Sequence, residues 1–224
     1  MREPLARPRA LLFDWDNTLV DTWGPIHRAL AATLEALGER PWSFDETKAR
    51  VRSSAREAFP SLFGRRARKA EAVFYRFFEA EHLRTLKELP GAGAMLAELA
   101  DAGFYLAVVS NKTGRYLRAE AEHLGWDGYF ARVVGAGDAP RDKPAADAVT
   151  LALGDHVPAG GGNPSAPDVW FVGDTDVDMR CAVNAGCVPL LLRAEPPGEG
   201  EFAAAPPRLH LPDCGELAAL LRRL

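Results

Sequence analysis

Ala10-Leu11-Leu12-Phe13 is an unbroken apolar run that stops at an acidic cluster. A run without polar alternation predicts a strand buried on both faces, as in a parallel sheet covered by helices on either side. From Gly24 to Leu37 the rhythm changes. Ile26, Leu30, Leu34 and Leu37 recur at helical spacing, with Gly38 as a stop. A second stretch, 65–89, carries Val73, Phe74, Phe77, Phe78 and Leu86 at similar spacing. The aromatic set Phe74, Tyr75, Phe77 and Phe78 is expected to form the core of that region. Between the two stretches, Pro41, Pro60 and Gly64 break the pattern into short helices and turns.

From Pro90 strand and helix alternate regularly. The pattern predicts helices over 92–102, 116–124, 145–153, 178–185 and 215–221. Strands are expected over 104–109 (ending at Ser110), 130–134, 169–172 and 188–192. Such alternation implies an α/β fold, a doubly wound parallel sheet of Rossmann-like type. Right-handed crossovers then bring the loops that leave the strands to one edge. The chain divides into a core of residues 1–21 and 90–224 and a small helical insertion at 22–89. Two stretches rich in Gly and Pro, 154–168 and 195–207, are expected to be mobile loops.

Composition narrows the function classes. The chain has 224 residues, 47% of them hydrophobic, with a formal net charge of −4. That balance argues against a dedicated nucleic-acid binder or a protein of membrane surfaces. The local basic cluster of Arg65, Arg66, Arg68 and Lys69 reads as a solvated helix face. No stretch is long and apolar enough for a bilayer span, and MREPLARPRA has no apolar centre typical of a signal peptide. Cys181, Cys187 and Cys214 form no C-x-x-C pair and are expected as buried, reduced thiols of a cytoplasmic protein. His27, His82, His123, His156 and His210 lack metal-site spacing and are read as structural or surface residues.

Polar residues gather just beyond four strand ends, where open α/β sheets bind ligands. They are Asp14-Trp15-Asp16-Asn17-Thr18-Leu19, Ser110-Asn111-Lys112, Lys143-Pro144, and Gly173-Asp174-Thr175-Asp176-Val177-Asp178. Carboxylates gathered at one edge repel unless something positive sits among them. Oxygen ligands without Cys or His favour Mg²⁺, with Lys143 as a second positive charge. A cation, a lysine, a hydroxyl and helix-start amides together suit a phosphoryl group. A carboxylate held against phosphorus can attack it, and a second one two residues along can carry protons.

These four motifs, in this order, resemble those of the haloacid dehalogenase superfamily. D-x-D-x-T-L at a strand end is the most specific, while S-N-K and K-P alone are near chance. An insertion directly after the first motif resembles the helical cap of the subgroup containing phosphoglycolate phosphatases. The run from Asp178-Met179 to Asn184-Ala185-Gly186 strengthens that match. The resemblance implies Asp14 as nucleophile and metal ligand, and Asp16 as general acid and base whose main-chain carbonyl also ligates the metal. It implies that Ser110, the Asn111 amide and Lys143 hold phosphate oxygens, and that Asp174 completes the Mg²⁺ site. Asp178 would act at one remove, through water or by orienting Lys143. Trp15 is unusual at its position, but its side chain should point away from the chemistry.

The expected activity is hydrolysis of a small phosphorylated metabolite, phosphoglycolate first, by a monomer or homodimer. A dehalogenase is disfavoured because resembling dehalogenases need no metal and lack an equivalent of Asp16; phosphonate-cleaving members also carry no Asp there. A sugar phosphomutase keeps all four motifs and is the rival among enzymes. A silent phospho-ligand or partner-binding module would be expected to have lost Asp14, Asp16 or Lys143. Asp176 reads as a helix cap more readily than as a ligand, and Thr18 as a residue that fixes its loop. Lys112 is balanced between substrate contact and a solvated helix start. Trp23, His27 and Arg28 stand where the insertion joins the core, as candidates to touch substrate.

Overall fold

A computed structural model describes residues 5–51, 54–156 and 168–224. The chain begins with β1 (Ala10–Phe13) and β2 (Val20–Asp21), then α1 (Trp23–Ala36), α2 (Phe44–Arg50), α3 (Ala55–Phe63) and α4 (Ala67–Thr85). It continues through β3 (Lys87–Glu88), α5 (Ala92–Asp101), β4 (Tyr105–Thr113), α6 (Gly114–His123), β5 (Arg132–Ala136) and α7 (Asp147–Leu153). The last elements are β6 (Val169–Gly173), α8 (Asp176–Asn184), β7 (Val188–Leu192), β8 (Leu209–Leu211) and α9 (Cys214–Arg222).

The apolar runs form the middle of a six-stranded sheet in the order β5-β4-β1-β6-β7-β8, parallel throughout. Every residue of β1 and β6 is buried, as a sheet clad on both faces requires. One face packs Leu11, Phe13, Trp170 and Val172 against α5, α6 and α9. The other packs Leu12, Val109 and Phe171 against α7 and α8. Strand order reverses at β1: the chain steps outward through β4 and β5, then returns to the other side with β6. A crevice opens at such a reversal, beyond the carboxyl ends of the strands.

Helices α1 to α4 lie between β2 and β3, which pair antiparallel as a short two-stranded ribbon. Leu30 and Leu34 of α1, Phe59 and Phe63 of α3, and Phe74 and Phe78 of α4 share a separate hydrophobic cluster. Phe77 does not join it. It is 38% exposed although its i+3 spacing from Phe74 would put it on the same face.

Some boundaries differ from the sequence pattern. β4 runs past Ser110 to Thr113, which pairs with Ala136 after an irregularity in register. Phe130 lies before β5 and instead turns inward, its ring edge-on to Trp15 at 6.4 Å. β8 has no counterpart in the sequence reading. It has three residues, too few for a period to register. Most of the stretch 154–168 lies outside the described residues. Around 195–207, Glu201 forms an ion pair with Arg193 at 2.6 Å. The three cysteines are unpaired and buried, and burial pushes the thiols of Cys181 and Cys187 up to about 12. Among the described residues no helix is long and apolar enough to cross a membrane.

Candidate active site

β1 delivers Asp14 to the crevice. Its main-chain N–H donates to Val172 O of β6 at 2.8 Å, so the backbone is held by the sheet where the strand itself has ended. The chain then reverses tightly. Trp15 O accepts from the N–H groups of Leu19 at 3.0 Å and Val20 at 3.2 Å. This turn needs Asn17 at φ 62°, a left-handed conformation that Asn tolerates better than most residues. Thr18 is fully buried and its hydroxyl donates to Asp174 at 3.4 Å, which ties the loop to the end of β6.

Lys143 is buried to 3% exposure. Its ammonium lies 2.5 Å from Asp14 Oδ1 and 2.7 Å from Asp178 Oδ1. Asn111 places it: the Asn111 side chain donates to Lys143 O at 3.1 Å and accepts from Lys143 N at 3.0 Å. Asp178 is fixed in turn by the start of α8, where its Oδ2 accepts from the Thr175 N–H at 2.9 Å and hydroxyl at 2.7 Å. Thr175 is therefore the cap, with Asp176 in the first turn, 3.6 Å from Arg180. A carboxylate there suits the positive end of the helix dipole.

Asp14, Asp174 and Asp178 each offer an oxygen within 4.8 Å of the others. Burial pushes the Asp14 carboxyl up to about 7; Lys143 pulls against this, and repulsion from Asp178 and Asp16 adds to it. Burial, then Asp178 and Asp14, raise Asp174 well above the usual range. One ammonium among three buried carboxylates leaves a deficit of positive charge, and all the donors are hard oxygens. That set fits a divalent cation such as Mg²⁺. Gly173 leaves room for the Asp178 side chain: a Cβ there would lie 2.4 Å from the Cβ of Asp178. Gly173→Ala should therefore push Asp178 off Lys143 and lower turnover at least tenfold, a loss read from kcat at saturating substrate.

The Asp16 carboxylate faces elsewhere. Lys112 Nζ stands 2.7 Å from Asp16 Oδ1 and 2.7 Å from Glu120 Oε2. Glu120 Oε2 also accepts from Trp15 Nε1 at 2.7 Å, and its Oε1 meets His82 Nδ1 of α4 at 2.9 Å. Lys112 is thus no solvated helix start; it is a buried cation at the end of β4, 8% exposed. Although burial works against the charge, Asp16 and Glu120 hold its ammonium above the ordinary value. Burial likewise opposes ionisation of Glu120, but Lys112, His82 and Trp15 together keep it below the usual range. Trp15 does point away from Asp14, packing edge-on against Trp126 at 5.7 Å, yet it reaches Asp16 indirectly through this network.

Sequence reasoning missed Glu120 and Arg193, while His82, read there as structural or surface, is buried against Glu120. The Arg193 guanidinium donates to Asp174 O at 3.0 Å, and no motif signals it. A cavity of about 330 Å³ opens on Asp14, Asp16, Ser110, Lys143 and Asp174. Trp23 lines it. His27 and Arg28 do not; they bond Thr47 at 2.9 Å and Thr85 at 3.3 Å. Arg56 of α3 pairs with buried Asp142 at 2.5 Å, so the helical insertion is joined to the loop that carries Lys143.

Known proteins resemble this chain in sequence and in fold. The chain is 32% identical over 184 residues to a phosphoglycolate phosphatase of Caulobacter vibrioides, covering 79% of this chain and 75% of that one. It is 26% identical to one of Rhodobacter capsulatus, over 83% of this chain and 84% of the relative. The crystal structure of a predicted phosphatase from Clostridium acetobutylicum superposes with a TM-score of 0.82 at 20% identity, over 98% of this chain and 100% of that chain. Residues 11–191, from β1 into β7 and so across all four strand ends, match the haloacid dehalogenase-like hydrolase family, and this chain belongs to it.

Proposed function

We propose that the protein is a Mg²⁺-dependent phosphatase that hydrolyses a small phosphate monoester through an aspartyl-phosphate on Asp14. The observation that carries this reading is the Asp14 carboxylate at the end of the central strand, 2.5 Å from Lys143 Nζ and beside Asp174. Asp14 Oδ attacks phosphorus while Asp16 protonates the departing oxygen. Asp16 then takes a proton from the water that splits the acyl phosphate. Ser110, the main-chain N–H of Asn111 and Lys143 receive phosphoryl oxygens, since the Asn111 side chain is committed to Lys143. Asp14, Asp174 and the Asp16 carbonyl would hold Mg²⁺, with Asp178 orienting Lys143. Bound there, the ion would neutralise charge and let two anions approach.

Residues 1–21 and 90–224 form the catalytic core in this proposal, and 22–89 a cap that closes over the leaving group. Three buried, unpaired thiols suit a reducing compartment, so we place its action in the cytoplasm. Phosphoglycolate, from the names of the relatives, is the substrate against which others should be measured. Conversion of a sugar phosphate to its isomer without free phosphate would favour a mutase instead.

Metal addition tests the charge deficit. An acid whose folded pKa is raised loses stability as pH rises, here from the ordinary 3.8 of Asp14 through about 7. Mg²⁺ should therefore raise the thermal midpoint more at about pH 8 than at about pH 5. Phosphate release should stop in excess chelator. Undiminished release there, with no shift in midpoint, would sink the metal assignment.

A further inference from the structure

We infer that the leaving group of the substrate is uncharged and apolar, with the bulk of an aryl or medium-chain alkyl alcohol. This rests on the phosphatase reading and departs from the substrate named for the relatives. The cavity of about 330 Å³ is one continuous space. Its floor holds the carboxylates and Lys143. Its far side is built by the insertion, from Leu30 of α1, Ala58, Phe59 and Leu62 of α3, and Phe74 and Phe78 of α4.

The polar groups on that side are already occupied. The Tyr75 hydroxyl bonds Thr113 Oγ1 at 2.7 Å, and the Tyr116 hydroxyl donates to Glu79. Each tyrosine hydroxyl thus already has a partner within the protein. Among the described lining residues of 22–89, Lys48 alone is charged. It is exposed, its ammonium 4.9 Å from the centre of the Phe44 ring and 5.7 Å from that of Trp23. This places the charge at the rim and not among the inner rings. On the core side Lys112 is committed to Asp16 and Glu120, and Arg193 to Glu201.

Among the described lining residues the insertion offers a carboxylated leaving group such as glycolate no counter-ion except Lys48, so its carboxylate would meet hydrocarbon in the inner chamber, which is costly. It would also leave most of the space to water lying against apolar walls. An aromatic or alkyl body fills the same space and buries its own surface. The phosphoryl end remains with Lys143, so the two ends of the cavity recognise the two ends of one molecule.

The test is a substrate series on the unaltered protein with Mg²⁺: methyl, butyl, hexyl and naphthyl phosphate, with phosphoglycolate and acetyl phosphate as small references. We expect kcat/KM to rise about fourfold per added methylene, and hexyl and naphthyl phosphate to exceed phosphoglycolate. Ala58→Trp, which fills the chamber, should cut the ratio of hexyl to acetyl phosphate kcat/KM at least tenfold. Calorimetry with Asp14→Asn should show naphthyl phosphate binding more tightly than phosphoglycolate, independently of turnover. A flat or falling series, with phosphoglycolate preferred, overturns the inference and leaves the phosphatase standing. Release of phosphate from none of the compounds, acetyl phosphate included, overturns the phosphatase reading and this inference with it.

Discussion

Asp14→Asn is expected to abolish turnover and the covalent intermediate together, whereas Asp16→Asn should slow turnover by roughly 10²–10⁴ and keep the nucleophile. The two carboxylates are two residues apart but face different partners. Asp14 is bound to Lys143 at 2.5 Å and grouped with Asp174 and Asp178. Asp16 meets Lys112 at 2.7 Å on the other side. An amide at position 14 cannot attack phosphorus, so no later step can occur. An amide at position 16 cannot give a proton to the leaving oxygen or take one from water. Aryl phosphates need little protonation, so in Asp16→Asn they should still phosphorylate Asp14 and then stall. Mass spectrometry of the quenched variant should find one phosphoryl group on the peptide containing Asp14. A label on Asp174, or normal turnover by Asp14→Asn, would show the nucleophile to be misassigned.

Lys143→Met should lower kcat/KM by about 10²–10³, the usual loss when a preorganised charge is removed from a transition state. The ammonium touches Asp14 and Asp178, and the Lys143 main chain is held by the Asn111 side chain. Methionine fills similar volume and leaves the carboxylates without their shared cation. Breaking a buried ion pair from one side costs about 3–5 kcal/mol, and protonation of the carboxylates is the relief available. The pKa of Asp14 should rise further, so the variant loses most stability at about pH 8 and recovers as pH falls. Lys143→Arg should restore the charge but little of the activity, because a planar guanidinium does not fit a space shaped for a point charge. Thermal melts across pH, with steady-state kinetics, separate these effects. Unchanged kcat/KM in Lys143→Met would remove it from the phosphate site.

Much of the arrangement is written locally in the chain. The apolar run at 10–13 can only be buried on both faces, and Asp14 follows it directly, so its place at a strand end is set by adjacent residues. The alternation after Pro90 likewise commits the chain to parallel strands whose outgoing loops share an edge, bringing Ser110, Lys143 and Asp174 to one crevice. Local pattern also sets the faces of α1 and α4, though not the outward turn of Phe77.

Partners separated widely in sequence were decided only by the tertiary structure. Glu120 reads as part of the polar face of an ordinary helix, yet it is fully buried among Trp15, His82 and Lys112, which lie 105, 38 and 8 residues away. Nothing in its neighbourhood marks it, because a buried charge is tolerated only when distant groups arrive to neutralise it. The short β8 depends in the same way on β7 being there to accept it. The apolar chamber over Asp14 is likewise set by where α1, α3 and α4 settle against the core. Periodicity reports which face of an element avoids water; the identity of what covers that face is fixed by packing between elements, which no single segment encodes.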